Sequence, residues 1–277
     1  MHRILTGPLQ VDRLTLKING LPQNLQGTKL VQLSDFHYDR KRLSEWLLTR
    51  AIAITNKVEP DLILLTGDFI TDEPTPVDDL VLRLKDLKSR AGVYAVLGNH
   101  DEEYPGARDK VIEAFTRVEI PILLNQVVYP LGSGLALVGL EDYWSANFQP
   151  FPVIESINKT VPRIVLSHNP DTAKVLQKWR IDLQLSGHTH GGQIRLPYLG
   201  PLAQFREPIR KLIPKFLQPV VPFMGKCEKI VKYWEWSQGL HQIGNNFLYV
   251  NRGLGTYFPG RLFCPPEVTI ITLVTNY

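Results

Sequence analysis

Apolar residues recur along this chain with two periods, and the switches between them predict its elements. Val11, Leu14, Leu16 and Ile18 alternate loosely with polar neighbours and predict an opening strand, while Lys29 to Ser34 is a short apolar run that stops at an acidic cluster. Leu43, Trp46, Leu47, Ala51 and Ile54 then recur at three- and four-residue spacing, which places them on one face of a helix from about Leu43 to Lys57. Glu59-Pro60 ends it, because a residue before proline is pushed out of the helical region.

The alternation then repeats. Asp61 to Thr66 reads as a buried strand, Val77 to Ser89 as a helix with Val77, Leu80, Leu84 and Leu87 inward, Val93 to Leu97 as a strand and Ala107 to Arg117 as a helix. Ile122 to Tyr129 and Leu135 to Leu140 form a strand pair joined through Gly132 and Gly134. Further strands are predicted at Arg163 to Ser167, Asp182 to Ser186, Asn246 to Asn251 and Val268 to Val274, with a helix near Thr172 to Trp179. Strands alternating with helices, followed by a strand-richer half, predict an α/β fold with helix-covered sheets. No composition break divides the chain, so residues 1–277 read as a single domain. Prolines between Pro197 and Pro222 interrupt any long helix or central strand and predict a surface insertion at about 196–238.

Composition narrows the class without naming a reaction. At 44% hydrophobic and 21% charged residues the chain reads as a soluble globular protein. Its net charge of +4 favours an anionic partner only weakly, but seven Lys or Arg against two Glu between Phe205 and Trp234 concentrate +5 in one segment. Cys227 and Cys264 form neither a C-x-x-C pair nor a disulfide framework, which disfavours sulfur-based metal binding and fits a reducing compartment. Met1 to Leu21 lacks the apolar run of about 7–15 residues that a signal peptide needs, and nothing later approaches roughly 18 uninterrupted apolar residues. The expectation is a cytoplasmic protein that meets a membrane only at its surface.

The chemistry-bearing residues fall just after predicted strands, where open α/β sheets gather their ligands. They form five clusters: Asp35-Phe36-His37, Gly67-Asp68, Gly98-Asn99-His100-Asp101, Ser167-His168 and Gly187-His188-Thr189-His190. A single loop histidine is most often structural, yet five of the chain's seven histidines lie in these clusters. Oxygen and imidazole donors without cysteine suit Mn, Fe, Zn, Mg or a related divalent ion. Gly67, Gly98 and Gly187 allow the tight turns that bring successive donors to one point.

These five blocks, in this order, resemble the calcineurin-like metallophosphoesterases, whose pattern runs D-x-H, G-D, G-N-H-D, H, G-H-x-H. The match spans Asp35 to His190, and Tyr249 to Leu254 and Pro265 to Leu273 are similar to the small bacterial phosphodiesterase branch. The resemblance implies a four-layer α/β/β/α sandwich of two mixed sheets. It implies two divalent ions, manganese first among Mn, Fe, Zn, Mg, Ni and Co. The first would take Asp35, His37, Asp68 and His190, and the second Asp68, Asn99, His168 and His188, with Asp68 bridging cations about 3.5–4 Å apart. A bridging hydroxide would attack phosphorus in line, and His100 would stabilise charge or donate the proton. Asp101 would accept a hydrogen bond from His100 and fix its tautomer, its alternative being a turn or cap aspartate. Arg195, Asn251 and Arg252 are candidate phosphate contacts, whereas Glu141 and Asp142 read as a structural loop.

Three functions stay open at this point. The first is a two-metal phosphodiesterase. The second is a pyrophosphohydrolase of a nucleotide-linked lipid of the UDP-2,3-diacylglucosamine type, although the better-known branch of those enzymes has arginine where this chain has His100. A non-catalytic scaffold is disfavoured, because clustered polar groups kept without metal would be poorly satisfied. The insertion interleaves Tyr198, Phe205, Phe216, Phe223, Tyr233, Trp234 and Trp236 with seven basic residues. It could dock on an anionic bilayer or shelter an acyl chain, or simply pack over the sandwich with its lysines solvated. Nucleic acid ranks lower, since the chain as a whole is only mildly basic.

Overall fold

The structure is a computed structural model that describes residues 6–215, 218 and 231–276. Its first sheet contains β1 (Gln10–Ile18), β2 (Lys29–Leu33), β3 (Leu62–Leu65), β4 (Val93–Ala95) and β13 (Glu267–Thr275) in the order β1-β13-β2-β3-β4. The second contains β5 (Gln126–Val128), β6 (Ala136–Gly139), β7 (Arg163–Leu166), β8 (Leu183–Ser186), β11 (Gly239–Ile243) and β12 (Asn246–Val250), ordered β11-β12-β8-β7-β6-β5. A small ribbon joins β9 (Arg195–Leu196) to β10 (Gly200–Pro201). Both large sheets are mixed. β2, β3 and β4 run parallel while β13 is antiparallel to β2; β6, β7, β8 and β12 run parallel between antiparallel β5 and β11.

The all-apolar sequence of β3, Leu-Ile-Leu-Leu, explains why it is buried on both faces. Leu62 and Leu64 join Leu30, Leu137, Ile164 and Leu185 in the core between the sheets. Ile63 and Leu65 turn the other way, onto helices α1 (Glu45–Lys57), α2 (Val77–Leu84) and α4 (Ala107–Thr116), through Leu47, Leu80, Val111 and Phe115. On the far side, Val138 and Val165 meet Val153 and Ile154 of α5 (Pro150–Glu155) and Leu176 of α6 (Thr172–Leu176). These three cores are the interfaces of a four-layer α/β/β/α sandwich. Each fully buried aliphatic side chain contributes about 1.5–3 kcal/mol relative to exposure.

Several boundaries differ from the periodicity, each for a tertiary reason. α1 begins after Ser44, whose hydroxyl accepts from Leu47 N at 3.3 Å, rather than at Leu43. α2 stops at Leu84, not Ser89, because the Asn56 side chain at the end of α1 donates to Asp86 O and accepts from Lys88 N, both at 2.8 Å. The expected strand from Ile122 divides between the sheets: Ile122 bridges to Ala95 of β4, and only Gln126–Val128 pairs with β6. Helix α5, hairpin strand β11, the single-turn α3 (His100–Glu103) and α7 (Arg206–Leu212) inside the proline-rich stretch were not predicted. Among the described residues, no helix is long and apolar enough to cross a membrane. Cys227 and the insertion residues Phe216, Phe223, Lys226 and Lys229 lie outside the described residues.

Candidate metal centre

Asp35 and His37 follow β2, Asp68 follows β3, Asn99 and His100 follow β4, His168 follows β7, and His188 and His190 follow β8. The parallel strands end side by side, so their following loops meet at one edge of the two sheets. Backbone bonds lace the first two loops together: Asp35 N donates to Gly67 O at 3.0 Å and His37 N to Asp68 O at 3.0 Å. Asp35, His37, Asp68, His188 and His190 all have positive φ, between 43° and 70°. Such left-handed backbone costs about 1–3 kcal/mol at each non-glycine position and persists only where the surroundings enforce it. Close approach also demands glycine at two turns, since a Cβ on Gly98 would overlap Asp68 Oδ1 and one on Gly187 would overlap Ser34 Oγ and Asp35 Oδ2.

The donors converge around Asp68. Its Oδ2 lies 3.4 Å from His37 Nε2 and 3.1 Å from His168 Nε2, and its Oδ1 accepts from His100 N at 2.9 Å. His190 Nε2 lies 3.4 Å from Asp35 Oδ1 and 3.0 Å from His37 Nε2. Three sets of donor atoms are each close enough to hold one ion: Asp35-His37-His190, His37-Asp68-His100 and Asp68-His168-His188. The carboxylate of Asp35 accepts His188 N at 2.9 and 3.1 Å, which ties the first loop to the last.

Unmet donors and acceptors give the test of fit. Asn99 Oδ1, His168 Nε2 and His188 Nδ1 are fully buried with no hydrogen-bond partner, His168 Nε2 approaching Asp68 without hydrogen-bond geometry. Leaving such atoms unsatisfied costs about 1–3 kcal/mol each, and a cation held by oxygen and imidazole donors satisfies them together. The second nitrogen of His168 is already fixed. His168 Nδ1 donates to Thr66 O at 2.6 Å, a carbonyl that can only accept, so Nε2 is left for an ion. Without cations, burial opposes charge on His168 but the neighbouring Asp68 prevails and pushes it up to about 10. Burial, reinforced by His168, pushes His188 down to about 3. Burial opposes ionisation of Asp68 as well, yet His168 and His100 hold it well below its usual range.

Residues 28–192 match the calcineurin-like phosphoesterase family, a stretch that contains every one of these donors. The chain belongs to that family. Phosphodiesterase YaeI of Escherichia coli (strain K12) is 34% identical over 251 residues, covering 89% of this chain and 82% of its own. The metallophosphoesterase YkuE of Bacillus subtilis (strain 168) is 31% identical over 96% of this chain and 85% of its own. UDP-2,3-diacylglucosamine pyrophosphatase LpxG of Chlamydia muridarum is 28% identical over 95% of this chain and 88% of its own. By family this phosphoesterase is a metal-dependent phosphoester hydrolase.

The polar residues around the phosphoesterase centre depart from several expectations. His100 Nδ1 pairs with Thr71 O at 2.9 Å, not with Asp101. The Asp101 carboxylate instead accepts Phe69 N at 2.8 Å, Ile70 N at 3.2 Å and Gly98 N at 2.9 Å, binding the second and third loops together, while burial and then Asp68 push it up to about 7. The three candidate phosphate contacts have internal partners. Arg195 donates to Gly191 O and Ser237 Oγ, and Asn251 pairs with Thr269 Oγ1 and Gly253 N. Arg252 is a buried ion-pair partner, 2.8 Å from both Asp12 Oδ2 and Glu267 Oε2.

Two residues that the motifs did not single out border the centre. Tyr257 OH lies 3.0 Å from His37 Nδ1, with Thr71 Oγ1 at 3.3 Å from the same nitrogen. Buried Arg261 donates to the carbonyls of Arg252, Gly253 and Cys264 and approaches His190 Nδ1 at 3.5 Å, holding the loop after β12 beside His190. No local spacing signals either one, because each comes from a loop far along the chain. Tyr257 and Thr71 also line a cavity of about 750 Å³ that opens beside His37, with Lys41, Arg42 and Glu73 in its wall.

Proposed function

We propose that this chain hydrolyses phosphodiesters at a two-metal centre, with Asp35, His37, Asp68 and His190 holding one ion and Asp68, Asn99, His168 and His188 the other. The observation that carries this reading is a set of buried, unpartnered donors: His168 Nε2 and His188 Nδ1 belong to residues grouped with Asp68, and Asn99 Oδ1 lies in the loop that follows β4. Bound cations would neutralise phosphoryl charge and lower the pKa of water in the site. We place manganese first among Mn, Fe, Zn, Mg, Ni and Co, all of which oxygen and nitrogen donors can hold.

The residues then divide the work. Asp68 offers one carboxylate to both ions and offsets their mutual repulsion. Because Thr71 O can only accept, His100 Nδ1 carries a hydrogen, and Nε2 is the atom left to donate to the departing oxygen. Such donation needs the doubly protonated ring; without cations, burial disfavours that charge on His100 and Asp68 outweighs it. Asp101 serves as a positioning residue that fixes the loop carrying His100. β13 near the C-terminus lies between β1 and β2, which supports treating residues 1–277 as one catalytic unit.

A second reading concerns the substrate. The relative LpxG is named as a pyrophosphatase of a nucleotide-linked lipid and aligns with 95% of this chain, which supports a lipid-linked phosphoester presented at a membrane surface.

The deciding experiment strips the protein of metal, re-doses it with each of the six ions and offers an aryl phosphodiester beside its monoester, with Asp68→Asn as control. Metal-restored cleavage of the diester, absent from the control, is the expected result. No turnover of either ester with any ion would sink the generic phosphodiesterase and favour the lipid-linked substrate.

A further inference from the structure

The described surface exposes fifteen large hydrophobic side chains, and nine of them lie in two stretches, 198–212 and 258–263. The two stretches are neighbours in space. Ile194 bridges to Leu262, Arg195 N donates to Leu262 O at 3.0 Å, Leu262 N to Gln193 O at 2.8 Å, and Leu202 N to Ile194 O at 2.8 Å. Exposure is extreme at several positions: Tyr198 is fully exposed, Leu212 is 84% exposed, and Phe258 and Phe263 are 81% and 68% exposed. A soluble surface rarely keeps apolar groups so concentrated unless something covers them.

Charge identifies the cover. Residues 194–215 contain five Lys or Arg and one Glu, a net +4 in which Arg195 is bonded inside the fold and Arg210 pairs with Glu207 at 3.0 Å, while Lys211 and Lys215 belong to the stretch that bears the exposed apolar groups. Helix α7 carries Arg210 and Lys211 in its last turn, next to exposed Ile209 and Leu212. Apolar anchors interleaved with basic side chains suit the headgroup region of an anionic bilayer. A protein partner fits less well, because the cores of protein interfaces are depleted in lysine.

The face also adjoins the metal centre. The 3-10 turn His190–Gly192 leads into β9, and Tyr257, beside His37, directly precedes Phe258. We infer that residues 198–212 and 258–263 form one docking face for an anionic lipid surface, set at the mouth of the metal centre so that the enzyme works on phosphoesters at headgroup level. The substrate class rests on the phosphodiesterase reading above; the docking face does not.

Vesicle sedimentation with the full chain tests it, using phosphatidylcholine alone and phosphatidylcholine mixed with phosphatidylglycerol. The chain is expected to sediment with the anionic vesicles and to be released as salt rises. Combining Tyr198→Ser, Leu199→Ser, Leu212→Ser and Phe263→Ser should weaken this partition about ten-fold or more, while hydrolysis of a soluble aryl phosphodiester stays unchanged. Lys211→Gln with Lys215→Gln should remove the preference for anionic lipid. Equal partition by the serine variant and the parent would overturn the inference. So would light scattering that shows a dimer in the parent, a monomer in the variant and no vesicle binding by either, which would give the face to a second copy of the chain. Vesicle binding without metal-restored hydrolysis would count against the phosphodiesterase reading and leave the docking face standing.

Discussion

Asp68 and His100 are adjacent in space but differ in proposed role, one a donor shared by two ions and the other a proton donor, so their substitutions should fail differently. Asp68→Asn removes the charge that both proposed ions share, and metal analysis should find neither bound. His100→Ala should keep both ions while kcat falls about 10²–10⁴-fold, the usual contribution of a positioned acid. A metal-free His100→Ala protein would contradict this separation. Asn99→Ala should lower occupancy of the second ion alone. Tyr257→Phe deletes the hydroxyl beside His37 Nδ1 and should weaken metal affinity about 10–100-fold, as loss of a group orienting a metal ligand does, measured by competition with a chelator.

Elements matter here chiefly through where they stop. The donors are placed by the ends of β2, β3, β4, β7 and β8 and by turns too tight for a side chain at Gly98 or Gly187. Gly187→Ala should therefore cost metal binding more than fold, visible as lost metal with an unchanged far-ultraviolet circular dichroism spectrum. Helix α1 lies on the outer face, and its N-cap bond from Leu47 N to Ser44 Oγ concerns stability alone. Ser44→Ala should cost about 1 kcal/mol in denaturant unfolding and leave turnover unchanged. Helix α2 and its shortened end illustrate what the local pattern misses: the apolar spacing extends to Leu87, which is indeed buried, but Asn56 on another helix captures the backbone first.

At the scale of the whole molecule, the metal-free centre links stability to pH. His188 is held neutral down to about 3 against an ordinary value of 6.5, so between these values the unfolded chain binds a proton that the folded chain does not. Its contribution to stability therefore rises with pH across that interval. His168 is raised to about 10, so its contribution is complete below 6.5 and is lost as pH climbs towards 10. Between about 4 and 7 the raised Asp101 works against His188, so the unfolding temperature of metal-stripped protein should fall clearly only as pH climbs from 7 towards 10. Re-dosing with metal at pH 8 should restore the lost stability, because cations take over the pairing of the donor imidazoles.

The sequence by itself determined most of the strands in the two large sheets, four of the seven described α-helices and the five donor clusters, because apolar period and short motifs are local properties of the chain. Through resemblance it also gave the reaction class and the four layers, which periodicity alone could not: an all-apolar strand such as Leu62–Leu65 is buried on both faces whether helices or a second sheet cover it. Only the tertiary structure decided the partners of the charged groups. Arg252 faces Asp12, 240 residues away, Asp101 holds backbone amides rather than His100, and Tyr257 reaches His37 from 220 residues along the chain. The joining of exposed residues 198–212 with 258–263 was equally invisible, since it rests on backbone hydrogen bonds between segments that no local pattern relates. Local physics sets which residues end a strand; the folded geometry sets which of them meet.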